Sequence, residues 1–346
     1  MATLTETAYT TRKIIKWGGI GFVAVLVLRI LLIAGLAYWN QLHPAAPPPP
    51  TVAFGKIPKP VFPAKEIPPL NYNLQLPTGS FPTFSDRAKV FIMPYKTANF
   101  LASDEAKRQA GALGFTSAPE IIKPEVYRWT KNEPVISSLQ MNIINGSFEY
   151  NYSWQEDPNI PLGKNLPTEE QATSETKGFV SRAKTLEQDL QESDNKVVYL
   201  KLSGTKLTPS VSFSESDFVR VDLFRKNIDD LPVVTPEPSQ GLVSALLSGS
   251  TNQRFLKVSN NYFPVDYSQF ATYPIKSPTK AWEQLKSGSG FIASYQENNS
   301  DIVVRRVYLG FYDTFSPQDY LQPIYIFTGD NDFIGYVPAI DDIWFQ

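Results

Sequence analysis

The chain has 346 residues, 42% of them hydrophobic, and its 32 Lys and Arg nearly balance 34 Asp and Glu, for a net charge of -2. That balance leaves no basic field to hold a phosphate backbone, so nucleic acid is not expected as a partner. Cysteine is absent and the one histidine, His43, lies in a proline tract, which excludes disulfides, thiolate metal sites, cysteine nucleophiles and a Ser-His-Asp triad.

Residues 1–13 read as a cytoplasmic tail and 14–39 as a transmembrane helix, because GGIGFVAVLVLRILLIAGLAYW is long enough to cross a bilayer. Arg29 costs roughly 2.5–3.5 kcal/mol there, while the twelve Leu, Ile, Val and Phe residues from Ile20 to Leu36 return roughly 0.3–0.6 kcal/mol each. Insertion wins. The run is too long for a signal peptide's apolar region and ends on Tyr38 and Trp39, so an uncleaved anchor is expected. Arg12, Lys13 and Lys16 precede it and the next cation is Lys56, which places everything after it outside the cytoplasm. Arg29 either snorkels to a headgroup or pairs with an acidic residue on a partner's transmembrane helix, and it is the candidate partner contact in the membrane.

Residues 40–70 read as a proline-rich stalk: 43–70 holds ten prolines, which favours polyproline reaching up to ~80 Å. An outer α+β domain of two helix-strand-strand units is expected over 71–232. In SDEAKRQAGAL, 103–113, Ala106, Ala110 and Leu113 share a helical face and Gly114 ends the run. LQMNIINGSFEYNYSW reads as a hairpin with a two-residue turn at Asn145-Gly146, opposing Ile143, Met141 and Leu139 to Phe148, Tyr150 and Tyr152. The row Phe148, Tyr150, Tyr152, Trp154 is either a core face beneath a helix or a platform for sugar rings, with Glu149, Asn151 and Ser153 facing water. Thr168 and Gln171 form a capping box opening a second helix, with Phe179, Ala183, Leu186 and Leu190 as its apolar stripe. Strands follow at 197–202 and 218–224.

LPVVTPEPSQG, 231–241, reads as a hinge to a final lobe over 238–346. That lobe has a strand near FLKVSN, a helix opened by Ser277-Pro278, and strands at IVVRRVYLGFY, LQPIYIF and FIGYVPAI. FTGDNDFIGYVPAIDD, 327–342, is acidic, but Ile334 stands where an EF-hand needs an oxygen ligand. It reads as a hairpin with loop 329–332, pairing Phe327 with Ile334 and Tyr325 with Tyr336. The expected fold is α+β, antiparallel sheets with helices packed on one face, in two or three repeated lobes behind one N-terminal transmembrane helix.

Five Ser-x-x-Lys matches (Ser174/Lys177, Ser181/Lys184, Ser193/Lys196, Ser203/Lys206, Ser277/Lys280) argue for chance, and no Lys-Thr-Gly follows. No catalytic residue, metal or cofactor is expected. A hydrolase working with two carboxylates is the enzymatic alternative.

The ending, AWEQLKSGSG followed by VRRVYLGFYDTFSPQDYLQPIYIFTGDNDFIGYVPAI, resembles the C-terminal part of the YycH and YycI proteins. The matching elements are 309–312, 322–327 and 335–339, and the helix-strand-strand units are similar to PepSY-type domains. The resemblance implies a bacterial cell-membrane protein with an extracytoplasmic, non-catalytic domain that regulates a sensor histidine kinase, partly through its membrane segment. Binding of cell-wall glycan or peptide through the aromatic row is the alternative.

Overall fold

The computed structural model describes residues 16–18, 22, 25–36, 38, 39 and 49–346 except 98, 194 and 298. The chain divides into two compact units, Met1–Pro49 and Pro50–Gln346. The expected tail 1–13 and residues 40–48 of the expected stalk lie outside the described residues. In the first unit, residues 25–36 are helical and exposed throughout, Arg29 among them. The expectation of a transmembrane helix is corrected: among the described residues no helix is long and apolar enough to cross a membrane.

The second unit is mostly β-structure. Its strands are β1 (Asn71–Leu74), β2 (Arg87–Ile92), β3 (Glu120–Lys123), β4 (Val126–Lys131), β5 (Ser137–Asn142), β6 (Phe148–Tyr152), β7 (Asn195–Ser203), β8 (Lys206–Pro209), β9 (Phe218–Leu223), β10 (Val233–Val234), β11 (Val243–Ser248), β12 (Phe255–Asn260), β13 (Asp266–Pro274), β14 (Phe291–Ser294), β15 (Asp301–Tyr312), β16 (Tyr320–Gly329) and β17 (Ile334–Pro338). Its helices are α1 (Ala102–Ala112), α2 (Glu169–Arg182), the single turn α3 (Gln188–Gln191) and α4 (Pro278–Lys286).

One sheet has nine antiparallel strands in the order β3-β4-β5-β6-β12-β11-β9-β7-β8. The other has eight: β1-β15-β16-β17-β14, with β10 beside β15 and β13 joined through β2 to β16. The chain interleaves them. β1 and β2 belong to the eight-stranded sheet, β3 to β9 build the other, and β11 and β12, beyond the expected hinge, return to lie between β6 and β9. The expected α+β fold of repeated helix-strand-strand lobes is therefore corrected to two interleaved sheets with few helices. Local periodicity finds helices and strands, but it does not say which distant strands exchange hydrogen bonds.

The capping box is present as expected, with Thr168 Oγ1 accepting from the Gln171 amide and Gln171 Oε1 from the Thr168 amide. α2 lies over β7 and β9, and Phe179 packs on Phe148, Tyr150 and Phe255. It stops earlier than the apolar stripe suggests, because Lys184 takes a positive φ of 55° and Leu190 belongs to α3.

Both expected hairpins form, each with a shifted register. In the first, Met141 pairs with Phe148 and Leu139 with Tyr150, two residues from the expected pairing. Asn142 causes this: its Oδ1 accepts from the Ile144 and Asn145 amides and opens the turn into a wider loop. A shift of two keeps every side chain on its face. In the second, Thr328 pairs with Ile334 and Tyr325 with Val337, a shift of one. Phe333, 1% exposed, tucks into the core and lengthens the loop. Gly329 sits so close to Val303 that a Cβ would collide with its carbonyl oxygen.

The described part of the proline-rich run packs on the eight-stranded sheet. Phe62 stacks on Phe291 at 5.2 Å and meets Tyr312 edge-on at 4.8 Å, and Ile57 is fully buried. Gln322 Nε2 donates to the Pro58 carbonyl at 2.9 Å and Tyr312 Oη to that of Val61 at 3.3 Å. Polyproline leaves its carbonyls free, so such donors hold it in place.

Candidate functional site

The nine-stranded sheet has two unlike faces. Toward α2 it presents a continuous core that includes Leu139, Met141, Val258, Ala245, Val221 and Leu223. The residues between these face the other way, and the sheet curls so far that Val126 of β4 and Pro209 of β8 line one groove of about 680 Å³. Seven intervals of about 4.8 Å would separate those strands in a flat sheet.

A single cross-strand row crosses this concave face. Arg128 pairs with Gln140, Gln140 with Glu149, Glu149 with Ser259, Ser259 with Ser244, Ser244 with Asp222 and Asp222 with Lys196. All seven are polar, over six strand spacings or about 29 Å. The neighbouring row adds Arg220, Leu246 and Lys257. Arg128 Nη2 donates to Gln140 Oε1 at 3.0 Å, and Lys257 lies 2.9 Å from Glu149.

Arg220 is the most firmly held group of the groove. Its Nε donates to Asp222 Oδ2 at 2.8 Å and its Nη2 to the Ser239 carbonyl at 3.1 Å. Asp222 is fully buried and also accepts from the Gly241 amide at 3.2 Å. The guanidinium remains a third exposed, and its Nη1 has no partner among the described residues. A rigid fork with a free donor suits a carboxylate, phosphate or carbonyl group of a ligand.

The aromatic row occupies the opposite face. Phe148, Tyr150 and Tyr152 are 4–8% exposed within the core beneath α2, so their rings offer no platform. Trp154 leaves the strand for a 3-10 turn and packs on Phe218 at 5.0 Å. Glu149 and Asn151, which alternate with those rings, point to the concave face instead. Arg29 lies in the exposed helical residues 25–36 of the first unit.

Two other polar clusters are structural. Arg225, fully buried, donates to Asp313 at 2.6 Å, to the Phe263 carbonyl at 2.6 Å and to Asp189. It lies 4.5 Å from the ring centroid of Tyr262. Tyr262 and Tyr267 both donate to Asp189 Oδ2, at 2.9 and 2.8 Å. Burial pushes the Asp313 carboxyl up despite Arg225, and it pushes the Tyr267 hydroxyl up to about 12. The network ties the end of β9 to α3 and to the end of β15.

At the C-terminus, buried Lys276 donates to Asp342 at 2.7 Å and Gln284 at 2.8 Å. Burial raises the Asp342 carboxyl, but hydrogen bonds from Lys276 and Lys280 outweigh it and hold the group down at about 2. Ser277 accepts from the Lys280 amide as a helix cap, and Asp330 is taken up by Arg305. Among the described residues no three His, Cys, Asp or Glu side chains are grouped to hold a metal.

Sequence reasoning missed the groove because Arg128, Gln140, Arg220 and Lys257 come from separate strands. One signal was present: in FVRVDLF the alternation sets Arg220 and Asp222 together on the face opposite Val219 and Val221.

No family model matches the chain, and no curated protein matches it in sequence. An uncharacterized protein from Eubacterium rectale, known from a crystal structure, is similar at a TM-score of 0.35 and 11% identity, over 74% of this chain and 84% of that one.

Proposed function

We propose that this chain is a non-catalytic binding protein of the bacterial cell envelope whose concave sheet takes a cell-wall glycan or peptide. The polar row from Arg128 to Lys196 carries the reading. The groove's volume of about 680 Å³ falls in the usual range for ligand sites, about 300–1,000 Å³. Within the groove the row presents Gln140, Glu149, Ser259 and Ser244, with Arg220 and Lys257 beside them, and these amide, hydroxyl and charged groups suit a hydroxyl- and amide-rich chain. Arg220 supplies the fixed anchor. The apolar side chains exposed along 25–36 associate with lipid and keep the groove near the envelope.

Retention of the full-length protein, in mild detergent, on purified peptidoglycan tests this reading. Ser259→Tyr, which obstructs the middle of the row without disturbing the Arg220-Asp222 pair, is expected to weaken retention roughly tenfold. Arg220→Lys, which keeps the charge and removes the fork, is expected to weaken it to a lesser degree. Retention unchanged by both substitutions refutes the reading.

A second reading, regulation of a membrane-bound sensor histidine kinase, is favoured by Arg29 among the exposed apolar residues of 25–36. It expects a kinase to co-purify from solubilised membranes with the natural chain and to be lost with Arg29→Leu. Recovery of no kinase with either protein removes it.

A further inference from the structure

We propose that β3 is a self-complementary edge through which two copies of this chain pair their nine-stranded sheets about a two-fold axis. β3 ends its sheet, with β4 as its one neighbour. All four of its residues are exposed, including Ile121 at 63% and Ile122 at 38%. Two adjacent large β-branched residues on an open edge form a template for another strand, which natural edges generally avoid.

The bulge in β3 decides which strand fits. Glu120 pairs with Arg128 and Ile121 with Tyr127, but the next pair is Lys123 with Val126, so Ile122 is the extra residue. Arg128 and Val126 lie on one face of β4 and Tyr127 on the other. Glu120 and Lys123 therefore share a face, with Ile121 between them on the opposite one.

An antiparallel copy related by a two-fold axis through Ile121, normal to the sheet, keeps both faces in register. It sets Ile121 opposite its own equivalent and Glu120 opposite the Lys123 of the second copy, twice. Without the bulge, Glu120 and Lys123 would point to opposite faces and no two-fold axis would join them. A parallel copy in register would instead set Glu120 against Glu120 and Lys123 against Lys123.

The neighbouring groups are consistent with this occupant. Glu120 is held only loosely, 3.9 Å from Arg128, and Lys123 has no ion-pair partner among the described residues. On the Ile121 side, a hollow of about 660 Å³ between α1 and β4, lined by Phe115, Tyr127 and Trp129, gives the paired isoleucines an apolar seat. The contact is isologous and closes at two copies.

Sedimentation velocity of the full-length protein in density-matched detergent tests the pairing. The natural chain is expected to show a concentration-dependent dimer. Glu120→Lys alone and Lys123→Glu alone each set like charges opposite one another twice, and each is expected to weaken the dimer roughly tenfold or more. An equimolar mixture of the two variants regains both pairs as a heterodimer, and so does the double variant Glu120→Lys/Lys123→Glu. At concentrations low enough for the natural chain to be monomeric, each variant is expected to melt within a few degrees of it, which separates lost pairing from lost folding. A monomer at all concentrations, a dimer indifferent to either single change, or a mixture that fails to regain association overturns the proposal.

Discussion

Replacing Arg225 by Met is the most informative single perturbation of the fold. Arg225 is fully buried and its guanidinium serves Asp313, Asp189 and the Phe263 carbonyl together. The substitution keeps much of the side-chain volume, so little of its effect comes from a cavity. It strands Asp313, which has no exposure, and Asp189, which keeps 11%. Removing one partner of a buried ion pair costs about 3–5 kcal/mol, because the remaining charge is neither solvated nor compensated. Against a total stability of about 5–15 kcal/mol this is a large fraction. With an m-value of about 3 kcal/mol/M, the urea midpoint falls by about 1–1.7 M. Asp313→Asn in the same background removes one stranded charge and is expected to restore about 1–2 kcal/mol. Equilibrium urea unfolding followed by tryptophan fluorescence measures all three proteins. A loss below about 1 kcal/mol for Arg225→Met, or no recovery in the double variant, refutes the view that a buried charge network joins β9, α3 and β15.

Phe179 is 5% exposed among Phe148, Tyr150 and Phe255, so Phe179→Ala is expected to cost about 3–5 kcal/mol in the same assay. Gly329→Ala drives a methyl group into the Val303 carbonyl and is expected to cost about 1–3 kcal/mol. Asp342 titrates at about 2 in the folded chain against an ordinary 3.8. Its folded value is depressed, so its contribution is complete above about pH 4 and is lost as pH falls toward 2, with the exposed part screened by solvent. Loosening of the C-terminal turn across that window, read from Trp344 fluorescence and flattened by Asp342→Asn, checks the sign.

Local chemistry was legible wherever a few neighbouring residues decide the outcome. Thr168 and Gln171 announced a helix start, Ser277-Pro278 announced another, and the Ala106-Ala110 spacing marked the buried face of α1. Both hairpins were visible from alternation, yet their registers were not. Asn142 captures two amides, and Phe333 finds a place in the core, and neither event is encoded by turn propensity. The aromatic row posed a choice between core and platform, and only tertiary packing resolved it, with Phe179 of α2 covering Phe148 and Tyr150 and Tyr152 buried in the same core.

The sequence by itself determined composition, element types and the alternating faces of each strand, because these follow from steric preference and from a side-chain period of two or 3.6 residues. It left open which strands pair, and that is where the sheets, the groove and the buried Arg225 network arise. β11 and β12 enter the nine-stranded sheet from beyond a run that reads as a hinge, and residues 50–70 pack where a free stalk was expected. Arg128, Gln140, Glu149, Ser259, Ser244, Asp222 and Lys196 form one row only after seven strands are set side by side. Pairing between distant strands depends on the summed burial of both faces, a property of the assembled sheet that no local window of residues contains.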